Sequence, residues 1–355
     1  MNTKKLTDII EVAGEKRASD IHLAVGTVPL LRIDGVLSPI EGEPITAEDM
    51  ELCLNHLLDE KQRECLVRAG EICFSCQLPV NYYLRGNVFL QRDGYAMTLH
   101  VLSKEIPEME SLGIPKTVTA LMERRKGLLV LAGEKGSGKT TTLTSLVASY
   151  AREQVKSVVT LEQPIEYVYP KGASMILQRE IGKDKTDWAD GLRAAMRQDA
   201  DMICVGELSD ENAVRMALYA ARTGHLVIAA VGADSAVNAL DSLIGVCREE
   251  QKAQIRNELA DTLLGVVTQR LLPKQNASGR VAAFEVLLAT SGVETLLREN
   301  KLYQLTTLIQ SSRKDGMQNM DDAIYDLYLR SEISSDTAIS YAKDPLGMKQ
   351  KVQLF

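Results

Sequence analysis

A chain of 355 residues is too long for one ordinary hydrophobic core, so we expect two domains. Its 45% hydrophobic and 25% charged residues are the balance of a globular protein, and no apolar run is long enough to span a bilayer. The formal net charge of −7 does not favour general nucleic-acid binding, which usually needs a basic face, so no direct nucleic-acid binding is expected.

An amphipathic helix is predicted at the amino end, over residues 3–17, because Leu6, Ile9 and Ile10 recur at helical spacing. Asp8 interrupts the apolar stretch that the core of a signal peptide would need. This pattern favours a cytoplasmic protein.

Short strands and one further helix are predicted in the rest of the first hundred residues. The predicted features are strands at 19–23 and 30–33, a hairpin turn at Asp34–Gly35, a helix capped by Thr46, and several strands over 71–102 with turns at Leu78–Pro79 and Asp93–Gly94. We therefore predict a small α+β domain over residues 1–103.

Four of the six cysteines fall in this domain. Cys73 and Cys76 form a lone C-x-x-C pair, and Cys53 and Cys65 precede it at irregular spacing. A zinc site built from these four stays open, but ordinary reduced thiols are favoured because no second close pair is present.

A linker is predicted at residues 104–116, which carry two prolines, a glycine and several charges. From Val118 onward apolar strands alternate with helical patterns, which indicates a largely parallel sheet covered on both faces. The pattern becomes helical from about residue 285 to the end. Residues 117–355 are thus predicted to form one α/β domain with a helical C-terminal part.

The strongest chemical signal in the chain is a G-x-x-x-x-G-K-[ST] motif between a predicted strand, 128–132, and a predicted helix, 141–150. Glycines at this spacing let backbone N–H groups turn inward around a phosphate, and the following helix adds its positive end. Lys139 is expected to reach the β- and γ-phosphates of ATP, and Thr140 to ligate Mg²⁺. The predicted nucleotide-binding residues are Gly133, Glu134, Lys135, Gly136, Ser137, Gly138, Lys139, Thr140 and Thr141.

Two carboxylates follow buried strands farther along the chain. Glu162 follows the apolar run 158–161, and Glu207 follows the run 202–206. Ligands of open α/β sheets bind at the carboxyl ends of the strands, so Glu207 is expected to polarise an attacking water. For Glu162 a catalytic role and an ordinary ion pair at the strand end both stay open. His225 starts a third apolar strand, and it is expected near the same edge.

Taken together, these segments resemble the PilT-like retraction ATPases of the type II/type IV secretion superfamily, over nearly the whole chain. The matching segments are the Walker A motif at 133–140, an "Asp box" at 160–168, Gln178–Glu180, a Walker B region at 192–199 and 205–207, the start of a "His box" at 223–227, and two segments of a PAS-like N-terminal domain at 18–23 and 32–35.

This resemblance implies a RecA-like ATPase domain after a PAS-like domain, assembled as a cytoplasmic homohexameric ring at the inner face of the membrane. Hydrolysis of ATP with Mg²⁺ would drive disassembly of a type IV pilus, as in twitching motility, through an inner-membrane platform protein. Glu207 would polarise water and Glu162 would be the second carboxylate. His225, with Arg85 and Arg92 reaching a neighbouring subunit's nucleotide, would sense or stabilise the γ-phosphate.

The chain departs from the family pattern at several positions: Gln163 replaces an Asp, Gly232 and Ala233 replace a His and a Thr, and His100 replaces an Arg. These departures predict an ATPase slower than the family norm, and they leave open a weakly hydrolysing subunit that regulates a paralogous ATPase. An assembly or export ATPase is the other alternative. Such proteins usually carry an extra N-terminal domain and often a four-cysteine zinc insert, which this sequence does not show, so retraction is favoured.

Overall fold

The computed structural model describes residues 3–16, 18–33, 35–77, 83–102, 106–153, 155–275 and 279–353. The chain divides into two compact units. The first unit comprises Met1–Glu105 with Glu166–Val168, and the second comprises Ile106–Ile165 and Tyr169–Phe355. None of the described helices combines the length and the hydropathy that crossing a bilayer requires.

The first unit is an antiparallel sheet with helices packed against one face. Its elements are α1 (Thr3–Glu15), β1 (Asp20–Ala24), β2 (Leu30–Ile33), β3 (Val36–Pro39), α2 (Ala47–Leu57), α3 (Glu60–Ala69), β4 (Glu71–Gln77), β5 (Tyr83–Gln91) and β6 (Gly94–Leu102). The strand order is β3-β2-β1-β6-β5-β4, with every neighbouring pair antiparallel. The predicted α+β class of this unit is confirmed.

Local sequence signals explain these elements well. Leu6, Ile9 and Ile10 of α1 are buried in one cluster with the inward-facing side chains of the sheet. Thr46 caps α2 in a capping box, in which its hydroxyl accepts from the Asp49 N–H and the Asp49 carboxylate accepts from the Thr46 N–H, both at 3.1 Å. The predicted turn at 78–79 and Asp34 of the other hairpin turn lie outside the described residues.

The second unit is built on a seven-stranded sheet. Its elements are α4 (Lys116–Leu121), β7 (Gly127–Gly133), α5 (Lys139–Glu153), β8 (Ser157–Glu162), β9 (Met175–Glu180), α6 (Trp188–Ala195), β10 (Met202–Val205), α7 (Glu211–Arg222), β11 (Leu226–Gly232), α8 (Ala236–Gly245), α9 (Glu249–Thr262), β12 (Leu263–Pro273), β13 (Arg280–Leu288), α10 (Ser291–Arg298), α11 (Leu305–Ser311), α12 (Met320–Leu329), α13 (Ser335–Tyr341) and α14 (Pro345–Gln353). The strand order is β13-β12-β7-β11-β10-β8-β9.

The central strand β7 shows why this sheet needs helices on both faces. Successive side chains point to opposite faces: Leu128 and Val130 join a cluster with α6 to α9, while Leu129 and Leu131 join another cluster with α4 and α5. The predicted parallel sheet is confirmed for six strands. The antiparallel hairpin of β12 and β13 at one edge was not predicted.

The helical C-terminal part packs on that hairpin. Leu272 of β12 and Ala283 of β13 are buried with Met320 and Ile324 of α12 and with Val352 of α14. Because both hairpin strands contribute to this cluster, the C-terminal helices and the sheet form one continuous hydrophobic cluster.

Part of the segment predicted as a linker belongs to the second unit. Ile114 is buried beside the hydrophobic cluster of α5, the Ser145 hydroxyl of α5 donates to the Pro107 carbonyl at 2.7 Å, and Arg152 pairs with Glu108 at 2.8 Å. These contacts attach the stretch to α5. The domain limits at 103 and 117 stay a prediction.

Candidate active site

The P-loop connects β7 to α5 in the predicted strand–loop–helix order. Gly136 and Gly138 adopt φ of +79° and +88°, the left-handed region that favours glycine. A Cβ built on Gly138 would also lie 2.8 Å from the side-chain nitrogen of Gln269. The backbone conformation favours glycine at this last position of the loop, and a Cβ there would also displace the Gln269 amide.

Lys139 begins α5 and folds back over the loop. Its Nζ donates to the Gly133 carbonyl at 2.7 Å and to the Glu134 carbonyl at 2.9 Å. Burial lowers the pKa of the Lys139 ammonium, and the nearby carboxylates of Glu207 and Glu134 partly oppose that shift. The ammonium is therefore held above the loop by neutral carbonyls, at the place where a phosphate would be bound.

The other predicted nucleotide-binding residues differ in exposure. Glu134, Lys135 and Gly136 at the loop tip are exposed, and Ser137 is buried against Gly133. Thr140 and Thr141 are half-buried in the first turn of α5. A hydroxyl supplies the oxygen chemistry that Mg²⁺ prefers, so Thr140 fits the predicted metal role.

Strand register brings the two predicted carboxylates to the same edge. Gly232 of β11 pairs with Gly133 of β7, and Val205 of β10 pairs with both Ala229 of β11 and Leu161 of β8. These pairs are all parallel, so the residues that end β7, β8, β10 and β11 share one edge of the sheet. Glu162, Glu207 and the P-loop lie along this edge.

The environments of the two carboxylates are very different. Glu207 is exposed just beyond β10 and acts electrostatically on Lys139. Glu162 is 8% exposed, and its Oε1 accepts from the Thr160 hydroxyl at 2.6 Å and from the Gln178 amide at 3.1 Å. Glu207 is open to solvent at the edge that carries the P-loop, whereas Glu162 is held within a hydrogen-bonded group.

The prediction that His225 lies near this edge is wrong. His225 directly precedes β11, whose first residue Leu226 pairs with Gly127 at the amino end of β7. Seven residues of extended chain, roughly 20 Å, separate it from the level of the P-loop. Its Nδ1 lies 3.1 Å from the Ala220 carbonyl oxygen, so His225 packs on the end of α7 instead.

Arg85 and Arg92 do not lie together. Arg85 is the third residue of β5, in register with His100 of β6, whose Nδ1 contacts Asp20. Arg92 follows the strand in a turn, roughly 20 Å farther along, and its guanidinium donates two hydrogen bonds to Asp93, at 2.9 and 3.0 Å. One phosphate group would not reach both arginines in this arrangement.

At the end of β11, Gly232 and Ala233 stand where the family pattern has a His and a Thr. The next polar side chain along the chain is that of Asp234. The space around the Cα of Gly232 is open, with no atom within 4 Å of a Cβ built there. Asn238 donates to Asp234 at 2.6 Å and lowers the pKa of that carboxyl, and Ser235 caps α8. The next N–H, of Ala236, donates to the buried Glu285 at 2.7 Å.

The described part of the chain contains no cluster of three or more His, Cys, Asp or Glu side chains that could hold a metal ion. Cys53 is buried in α2, Cys65 lies on α3, and Cys73 and Cys76 lie on β4 at an odd spacing that points them to opposite faces. The thiol of Cys76 has its pKa raised to about 11 by burial. These four cysteines do not meet as zinc ligands in this structure.

Sequence reasoning missed two residues of the β12–β13 hairpin that touch the P-loop. Gln269 of β12 is 5% exposed and accepts from the Thr142 hydroxyl of α5 at 2.7 Å. Arg280 of β13 donates to the Gly136 carbonyl at 3.4 Å. The short polar stretch 268–270 within β12 was the available signal for the first of them.

A family model described as type II/IV secretion system protein matches residues 2–330. The chain belongs to this family. It is 32% identical over 340 residues to the type IV pilus retraction ATPase PilT of Pseudomonas aeruginosa, covering 96% of this chain and 98% of that protein. It is 38% identical over 313 residues to the uncharacterized Escherichia coli protein YggR, covering 88% and 94% of the two chains.

A solved structure supports the same placement within the type II/IV secretion family. The crystal structure of the pilus retraction motor PilT with bound ADP matches with a TM-score of 0.89 and 38% identity, covering 97% of this chain and 98% of that one. The resemblance to PilT-like ATPases predicted from the motifs is confirmed.

Proposed function

We propose that this member of the type II/IV secretion family is an ATPase motor that drives type IV pilus retraction. Similarity to PilT over nearly the full length of both chains supports the activity class. The observation that carries the proposal is the shared edge at which the P-loop, Lys139 and the exposed Glu207 meet. This edge combines a phosphate cradle with a carboxylate that solvent can reach.

Each residue at the edge has a distinct proposed role. Lys139 exchanges its two carbonyl partners for the β- and γ-phosphates of ATP. Thr140 would hold Mg²⁺, which when bound would supply positive charge beside the phosphate oxygens. Glu207 orients and deprotonates the attacking water, while the buried Glu162 keeps the neighbouring strand end and its bonded side chains in place.

The assembly and its surroundings are further parts of the proposal. We infer a homohexamer in which Arg85 of one subunit reaches the nucleotide of its neighbour. Arg85 is available for this role because no carboxylate of the described residues is bound to it. Arg92 would first have to leave Asp93. The ring would act in the cytoplasm, against an inner-membrane platform protein of the pilus machinery.

Steady-state hydrolysis by the purified assembly tests the proposal. Glu207→Gln removes the water-polarising carboxylate, so turnover should fall by about 10²–10⁴-fold while ATP affinity is retained. Glu153→Gln is a matched control, because this carboxylate lies at the other end of α5, about 21 Å from the P-loop. Equal turnover in the Glu207→Gln variant and the unmodified protein would exclude the assignment of Glu207.

The open strand end at Gly232 favours one second candidate, a subunit that binds ATP, hydrolyses it weakly and regulates a paralogous ATPase. The same measurement separates the two. Negligible turnover of the purified chain alone, with a rate above the sum of the two separate rates when it is mixed with an active paralogue, would support regulation over a motor.

A further inference from the structure

Two polar side chains that are hydrogen-bonded to each other are buried beneath the P-loop. Gln269 in the middle of β12 is 5% exposed, and Thr142 in the first turn of α5 is 1% exposed. The Thr142 hydroxyl donates to Gln269 Oε1 at 2.7 Å. This hydrogen bond connects the P-loop helix to a strand that does not itself carry the P-loop.

Gln269 also packs against both ends of the loop. A Cβ built on Gly138 would lie 2.8 Å from Gln269 Nε2, and one built on Gly133 would lie 2.8 Å from the Gln269 carbonyl oxygen. These are the first and last glycines of the motif. The loop backbone is therefore seated directly on one residue of β12.

A glutamine at this place needs a physical reason, because burying an amide without hydrogen bonds is costly. An apolar side chain of similar length would fill the space, but it would leave the buried Thr142 hydroxyl without its acceptor. Thr142 lies two and three residues after Thr140 and Lys139, so the bond fixes the same helical turn that presents these side chains.

The following residues of β12 are held from the other side. Arg270 donates to the Tyr341 carbonyl at the end of α13, at 2.7 Å, and Leu272 is buried among the C-terminal helices. The strand that supports the P-loop is thus anchored, within three residues, to the C-terminal part of the unit.

We propose that Gln269 is a positioning residue, which holds the P-loop and the first turn of α5 in their phosphate-binding shape through Thr142 and Gly138. The proposal rests on the nucleotide site proposed above. It adds a residue that touches neither phosphate nor metal and that acts through the loop.

A matched pair of variants tests it by ATP affinity. Thr142→Val keeps the shape but removes the donor and leaves the Gln269 oxygen unsatisfied, so affinity should fall about 5- to 50-fold. Thr142→Ser keeps a hydroxyl and should recover most of that loss. Ser149→Ala removes an exposed side-chain hydrogen bond from the same helix and should leave affinity unchanged.

Gln269→Met provides a second measurement, combined with Thr142→Val in a double-mutant cycle. Removing both partners together should weaken ATP binding by clearly less than the product of the two single effects. If Gln269→Met does not fold, the Thr142 pair still decides the question.

Two outcomes would overturn the proposal. One is equal ATP affinity for Thr142→Val and Thr142→Ser; the other is a Thr142→Val variant that loses thermal stability but not affinity, which would make the bond merely structural. Failure of the proposed function would look different, because the unmodified protein itself would then not bind ATP.

Discussion

Replacing Lys139 by methionine keeps the length of the side chain and removes its charge, so it isolates the ammonium. A charge-assisted hydrogen bond contributes about 1.5–3 kcal/mol, which corresponds to roughly 10- to 150-fold in affinity. In the free protein, however, Nζ already donates to the carbonyls of Gly133 and Glu134, at 2.7 and 2.9 Å. Phosphate must displace these partners, so we expect a loss in the lower half of that range.

Calorimetric titration with ATP and Mg²⁺ measures this loss, in a Glu207→Gln background that prevents hydrolysis. Lys126→Met is the matched control, since this exposed lysine directly precedes the amino end of β7. Burial lowers the pKa of Lys139 from its ordinary 10.5, so the ammonium is lost at a lower pH than that of an exposed lysine. The ATP affinity of the parent protein, which keeps Lys139, should therefore decline as pH rises toward 10.5, while the affinity of the Lys139→Met variant stays flat. Binding by Lys139→Met within twofold of its parent would refute this reasoning.

Three further outcomes are expected. Arg85→Ala subunits and Glu207→Gln subunits should each be inactive alone and should regain some hydrolysis in mixed rings, because an arginine supplied by a neighbour contributes about 10³-fold or more to the rate. No activity in rings shown to be mixed would count against action in trans. The double variant Gly232→His with Ala233→Thr should raise turnover by up to about 10²–10³-fold without changing ATP affinity, since the space at Gly232 is open. Unchanged turnover in a folded ring would contradict the prediction that these two positions make the ATPase slow. Glu285→Ala should lower the free energy of unfolding by about 1.5–3 kcal/mol in urea titrations, because the Ala236 N–H loses its buried acceptor and Lys343 loses its partner carboxylate. Glu285→Gln keeps an acceptor for the Ala236 N–H and should lose less; equal losses would contradict that assignment.

The position of the nucleotide edge could be predicted from sequence because its signals are local. Glu162 and Glu207 each follow an apolar strand, and parallel strands align their carboxyl ends. The same rule, applied to His225, would have placed it correctly: a residue that begins a parallel strand lies at the amino edge. An expectation that places His225 near the nucleotide edge overlooks the direction of β11, and it is therefore wrong.

Gln269 could not be predicted in the same way. Its partner Thr142 is 127 residues away, and the β12–β13 hairpin that brings them together has no short-range signature of the kind that marks the P-loop. Arg280 of β13 is 144 residues from Gly136, to whose carbonyl it donates. Contacts of this kind are set by the packing of whole elements, which a single sequence does not display.

The attachment of residues 106–114 to α5 decides how the chain can be cut. A fragment starting at Thr117 would leave the Ser145 hydroxyl without the Pro107 carbonyl and uncover the apolar surface that Ile114 shields. One starting at Ile106 keeps both contacts. The prolines and charges of this stretch suggest a linker that could be removed, but the stretch packs against α5, the helix that follows the P-loop. Isolated ATPase fragments should therefore retain it.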